Sequence, residues 1–157
     1  MKKVTVYTDG SALGNPGPGG YGAVLIYGKH RKELSSGFQH TTNNRMEIMA
    51  AIAALRAMNE PCAPTIHSDS QYVVNAMSKG WVEGWKKRGW KRKDGPLKNA
   101  DLWQELHDLA KVHEVTWQWV KGHAGNPLNE RCDQLAVGAA KSKNLAEDVG
   151  FSASGEA

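Results

Sequence analysis

The sequence has little of what membrane, secreted or fibrous chains require. A strongly apolar run such as Met49 to Leu55 falls far short of the roughly 20 residues that span a bilayer. The first residues of the chain do not read as a secretory leader, and none is expected. Cysteine is scarce, and Cys62 and Cys132 without a secretory signal read as reduced thiols of a cytosolic protein rather than a disulfide framework. There is no internal repeat and no low-complexity tract. What remains is 157 residues and 17.1 kDa, with 40% hydrophobic and 23% charged residues, ordinary for a soluble globular chain. A chain of this length buries roughly 70% of its unfolded surface and needs neither disulfide nor metal merely to stay folded, so one domain over residues 1–140 is expected.

The formal charge of +4 is unevenly placed. Residues 79–98 carry Lys79, Lys86, Lys87, Arg88, Lys91, Arg92, Lys93 and Lys98 against Glu83 and Asp94, a net +6, which leaves the rest of the chain at −2. Three tryptophans, Trp81, Trp85 and Trp90, are interleaved with these cations. Cations supply phosphate neutralisation and indoles supply flat surfaces for sugar or base, so nucleic acid is the favoured partner. The rival reading, a membrane-surface helix, is weakened by Gly89 and Gly95-Pro96, which interrupt any continuous amphipathic helix.

Val4, Val6 and Thr8 alternate with Lys3, Thr5 and Tyr7 as a strand that ends at Asp9. A glycine-rich turn, residues 10–20, leads to a second strand at 21–27 and a third at 31–38, an antiparallel meander. Residues 46–58 read as a helix capped from within Thr41–Asn44. A short strand at 65–68 ends at Asp69, and Ser70 caps a helix over 71–77. After the basic segment come a helix over 101–112, a strand over 114–120 and, past a glycine-rich loop, a helix from Pro127 to about Ala140. From Lys141 onward the residues are small and polar, and a poorly ordered tail is expected. The order of elements predicts an α/β fold with a mixed sheet, hairpins at one side and parallel crossovers elsewhere.

Four carboxylates fall at element junctions: Asp9, Glu47, Asp69 and Asp133. Singly, each has a plain structural reading as a turn residue, helix-terminal charge, cap or surface charge. Together they acquire chemistry, because neighbouring first and fourth strands bring Asp9 beside Asp69 and two covering helices can add Glu47 and Asp133. Carboxylates about 4 Å apart repel by roughly 4 kcal/mol at an effective dielectric near 20, so such a group needs cations. All-oxygen ligands suit Mg²⁺ or Mn²⁺ rather than Zn²⁺. His123, in the loop before the helix of Asp133, can approach that site without being a ligand and shuttle protons near neutrality.

Tyr7-Thr8-Asp9-Gly10-Ser11, Gly14 through Gly22, Thr41 through Glu47, Ser68 through Tyr72, Gly84 through Trp90 and Val120 through Gly125 together resemble bacterial type 1 ribonuclease H. The match runs in order from about residue 3 to 140, and six motifs in register are far more specific than any lone glycine motif. The resemblance implies a five-stranded mixed sheet flanked by helices and endonucleolytic hydrolysis of the RNA strand of RNA–DNA hybrids. It implies Asp9, Glu47, Asp69 and Asp133 as metal-binding carboxylates and His123 as a flexible-loop histidine. It places Asn15, Asn43, Asn44 and Gln71 against the hybrid's minor groove and Thr42 with Asn99 on a DNA phosphate. By the same resemblance, Tyr72, Trp81 and Trp85 would line the DNA-strand channel. The resemblance also implies that residues 79–98, with Lys86, Lys87, Arg88 and Trp90, form a basic protrusion that grips the hybrid.

The expected chemistry is two-metal phosphodiester hydrolysis with two Mg²⁺ ions, giving 5′-phosphate and 3′-hydroxyl ends with little sequence preference. The expected setting is a cytoplasmic monomer. A catalytically silent hybrid-binding module has no use for all four carboxylates and His123. A junction resolvase or transposase-type domain does not need the asparagine set.

Overall fold

The computed structural model describes residues 1–156. Strand β1 (Lys2–Ala12) buries Val4, Val6 and Thr8 on alternate positions. It runs three residues past Asp9, because Asp9 to Ala12 stay paired with Gly22 to Gly19 of β2 (Gly17–Tyr27). Asp9 is therefore a strand residue rather than a turn residue. β3 (His30–Thr41) completes the meander. Helix α1 (Asn43–Arg56) starts three residues earlier than its apolar pattern, since Thr42 accepts a hydrogen bond from the Arg45 amide and caps it.

β4 (Cys62–Ser68) lies parallel to β1, and α2 (Gln71–Ser78) follows with Ser70 capping it through the Val73 amide. The basic segment forms the short helix α3 (Trp81–Lys87) and a two-residue-per-strand hairpin of β5 (Lys91–Arg92) and β6 (Gly95–Pro96). α4 (Ala100–Val112), β7 (Thr116–Trp119) and α5 (Pro127–Ala140) then follow, with Asn126 capping α5 ahead of the proline. The sheet order is β7-β4-β1-β2-β3, the five expected strands. The core lies between this sheet and α1, α2 and α4, where Val6, Ile48, Ile66, Trp103 and Leu106 are fully enclosed.

The tail departs from expectation. After Lys141 the chain adds a sixth strand, β8 (Leu145–Ala146), parallel to β3, and a one-turn helix α6 (Val149–Ala153). Phe151 is buried against His40, and Asp148 is buried in an ion pair with Arg45. A sequence that looks small and polar is ordered because its two inward residues find partners more than a hundred positions away.

Candidate metal centre and nucleic-acid interface

β1 and β4 are parallel neighbours with Thr8 opposite Ser68, so their next residues, Asp9 and Asp69, emerge side by side. α1 lies across β1 at this point: a Cβ added to Gly10 would stand 2.3 Å from the Glu47 amide nitrogen, so only glycine lets the helix descend far enough. One carboxylate oxygen each from Asp9, Glu47 and Asp69 lies within 4.8 Å of the others. Asp9 is held by the Gly10 amide, which donates to its Oδ1 at 3.0 Å. The Asp69 backbone carbonyl accepts from Trp119 Nε1 at 3.2 Å, and Ser68 Oγ accepts from the Ser70 amide at 3.0 Å, fixing the junction of β4 and α2.

Burial and mutual repulsion act on this group together. Burial, followed by the Asp69 charge, pushes the Asp9 carboxyl up to about 8. Glu47 is 9% exposed and is also raised well above the ordinary carboxylate range, by burial and then by Asp9 and Asp69. Its Oε1 is buried with no hydrogen-bond partner. A buried carboxylate with an orphaned oxygen, grouped with two more carboxylates, is costly unless a cation lies among them. The donor set is all oxygen and fits a hard divalent ion.

Asp133 does not join the three. It lies half-buried on α5, which is drawn against β1 where Cys132 Sγ donates to the Tyr7 carbonyl at 3.2 Å, and its charge bears on Asp9 without its oxygens entering the group. His123 is also outside the group, exposed, with φ of 56° in a loop otherwise built from small residues. The start of that loop is tied to the site, since a Cβ at Gly122 would stand 2.7 Å from Asp69 Oδ2.

Exposed polar side chains surround the carboxylates. Asn43 and Asn44 open α1, Gln71 opens α2, and Asn15 sits in the turn between β1 and β2. Asn15 Oδ1 accepts from the Asn43 amide at 3.1 Å while Asn43 Oδ1 accepts from the Ala12 amide at 2.6 Å, locking turn and helix start together. Asn99 precedes α4 with φ of 62°, and its Nδ2 donates to the Tyr72 hydroxyl at 3.0 Å.

The tryptophans divide. Trp81 is 43% exposed and free to meet a ligand. Trp85 lies 5.5 Å from the Trp103 ring, and Trp90 stands edge-on to His107 at 5.7 Å. These two half-buried indoles also pack the protrusion against α4. Lys86, Lys87 and Arg88 are exposed at the end of α3.

Arg45, Asp101 and Asp148 escaped sequence reasoning. Arg45 is 2% exposed, at the start of the glutamate-bearing helix. One local signal was available: Asp148 precedes an apolar Val149 and Phe151 in the manner of a helix cap, and its Oδ1 does accept from the Phe151 amide at 3.3 Å.

The family model for RNase H matches residues 1–141. The "Ribonuclease H" of Aeromonas hydrophila is 59% identical over 152 residues, covering 96% of this chain and 98% of its own. The crystal structure of LC9-RNase H1, a type 1 RNase H with the type 2 active-site motif, is 36% identical with a TM-score of 0.83, over 98% of this chain and 82% of that one. LC11-RNase H1, solved in complex with RNA/DNA hybrid, has the same fold at a TM-score of 0.65 and 23% identity, over 87% of this chain and 96% of that one. A carboxylate group at the β1–β4 edge, a helix-borne glutamate and end-to-end similarity to named enzymes converge on one assignment, and the chain belongs to the ribonuclease H family.

Proposed function

We infer that this chain is an endonuclease that hydrolyses the RNA strand of RNA–DNA hybrids, leaving 5′-phosphate and 3′-hydroxyl ends. The observation that carries the reading is the convergence of Asp9, Glu47 and Asp69 with Glu47 Oε1 buried and unpartnered, in a chain of this family. Asp9, Glu47 and Asp69 hold the metal, with Asp133 as the fourth, more loosely placed ligand. Mg²⁺ is the proposed ion, two with substrate present, and Mn²⁺ can substitute. When bound, such ions supply an activated water and charge neutralisation at the scissile phosphate. His123, on its exposed loop, moves a proton at its imidazole without holding the ion.

Selectivity comes from two sets of side chains. Asn15, Asn43, Asn44 and Gln71 offer amides to the 2′-hydroxyls of a wide minor groove, which marks one strand as RNA. Thr42 and Asn99 hold a phosphate of the DNA strand, and Tyr72, Trp81 and Trp85 border its path. Lys86, Lys87 and Arg88 neutralise phosphates farther out, with Trp90 anchoring their segment. None of these groups reads a base edge, so sequence preference is slight. The same reading has the protein working as a cytoplasmic monomer. Among the described residues no helix is long and apolar enough to cross a membrane.

The test is incubation with end-labelled hybrid, duplex RNA and duplex DNA, each with and without Mg²⁺. Metal-dependent cleavage of RNA in the hybrid alone is expected. Binding without cleavage, or cleavage of duplex DNA, refutes the reading.

A further inference from the structure

The guanidinium of Arg45 has all five of its N–H donors engaged. Nε donates to Asp148 Oδ2 at 2.7 Å and one terminal nitrogen to Asp148 Oδ1 at 3.0 Å. That same nitrogen donates to Asp101 Oδ2 at 2.7 Å, and the other to Asp101 Oδ1 at 2.9 Å and to Asn99 Oδ1 at 3.4 Å. Arg45 and Asp148 are buried, with side chains 2% and 1% exposed, whereas Asp101 is 47% exposed. Asp148 Oδ2 also accepts from Thr41 Oγ1 at 2.7 Å, next to Thr42.

A guanidinium with no free donor and two carboxylates around it has no capacity to attract a phosphate of its own. It does decide how Asn99 presents its amide. Donor-only Arg45 requires the Asn99 oxygen, not its nitrogen, on the inner side. Nδ2 then faces away from Arg45, where one hydrogen goes to the Tyr72 hydroxyl at 3.0 Å, which also accepts from Trp103 Nε1 at 3.2 Å, and the second has no partner within the protein. A flipped amide would set N–H against N–H and withdraw that donor.

We propose that Asp148 is a positioning residue for hybrid binding, acting through Arg45 to hold the Asn99 amide in its donor-outward orientation. The C-terminal segment thereby sets the strength of a grip it does not itself make. The proposal rests on the reading of Thr42 and Asn99 as a phosphate site. It deepens that reading by tying the site to a segment 103 residues away from Arg45.

Steady-state kinetics on a hybrid, run well below each variant's melting temperature, test it. Asp148→Asn and the half-exposed Asp101→Asn, which keeps the question answerable should the first variant fold poorly, each weaken the hold on Arg45. Each is expected to raise KM about tenfold, the effect of losing one charge-assisted hydrogen bond, with kcat within about twofold. In an Asn99→Ala background, itself raised in KM, both increments should vanish. If Asn99→Ala raises KM but the two aspartate variants only lower the melting temperature, the positioning role is refuted and the phosphate site stands. If Asn99→Ala leaves KM unchanged, the phosphate site falls and the proposal with it. Increments that persist in the Asn99→Ala background place the route elsewhere and equally overturn it.

Discussion

Replacing Asp9 with asparagine should abolish cleavage and yet stabilise the metal-free protein. Asp9 is 5% exposed and its carboxyl is raised from 3.8 to about 8, chiefly by burial and then by Asp69. A group whose folded pKa lies above its unfolded value favours the folded state while protonated, and that contribution is lost as pH rises through the folded pKa. At pH 7 the span of roughly three units corresponds to about 4 kcal/mol against folding. Asparagine removes the charge but still buries a polar amide, so a net gain of about 2 kcal/mol is expected, or about 5 °C in Tm for a chain this size. The assay is thermal unfolding of both proteins in EDTA from pH 4 to pH 8, repeated with Mg²⁺. The variant's advantage should grow from pH 4 to pH 8, disappear near pH 4 and narrow when the ion is added, because wild type then gains a ligand-bound state. Equal Tm values at pH 8 in EDTA would refute the repulsion argument, and so would an advantage that is largest in acid. Near-normal cleavage by the variant would sink the metal assignment independently.

Neutralising Lys86, Lys87 and Arg88 together should raise KM and reduce the slope of log affinity against log salt by up to about 3; an unchanged slope in a salt titration would place the protrusion off the substrate. His123→Ala should lower kcat by about a hundredfold at most, with KM held and less loss than Asp9→Asn, which single-turnover and steady-state rates on the same hybrid will check. Ser70→Ala removes the acceptor of the Val73 amide at 3.2 Å and should cost about 1 kcal/mol in urea unfolding, with the hybrid-cleavage rate preserved if Asp69 stays in place.

Local signals carried the elements well. Alternation marked β1, Ser70 and Pro127 marked two helix starts, and the stretch from Met46 marked α1 to within three residues. Asp9, Glu47 and Asp69 were legible as a group because neighbouring first and fourth strands and the helix covering them bring these side chains together, and all three did converge. Asp133 was named with equal weight, but its distance from the others depends on how α5 settles against β1, which no local pattern encodes. The packing of the tryptophans was illegible for a similar reason. Interleaving with lysines is a one-dimensional fact, while Trp85 and Trp90 face Trp103 and His107 on α4. The tail misled most, because composition reports average polarity, while its order rests on the buried Phe151 and Asp148 and on the pairing of β8 with β3.

By itself the sequence determined the family, the sheet with its flanking helices, the carboxylates at element junctions and the separation of a +6 arm from a −2 body. These depend on residue type and short-range spacing, which the chain states directly. Only the tertiary structure decided that three carboxylates share one 4.8 Å group, that Glu47 Oε1 is left without a partner, and that Arg45 ends all five of its donors on Asp148, Asp101 and Asn99. Desolvation, Coulomb repulsion and hydrogen-bond saturation depend on distance and burial, and those exist only once residues far apart in the chain are packed together.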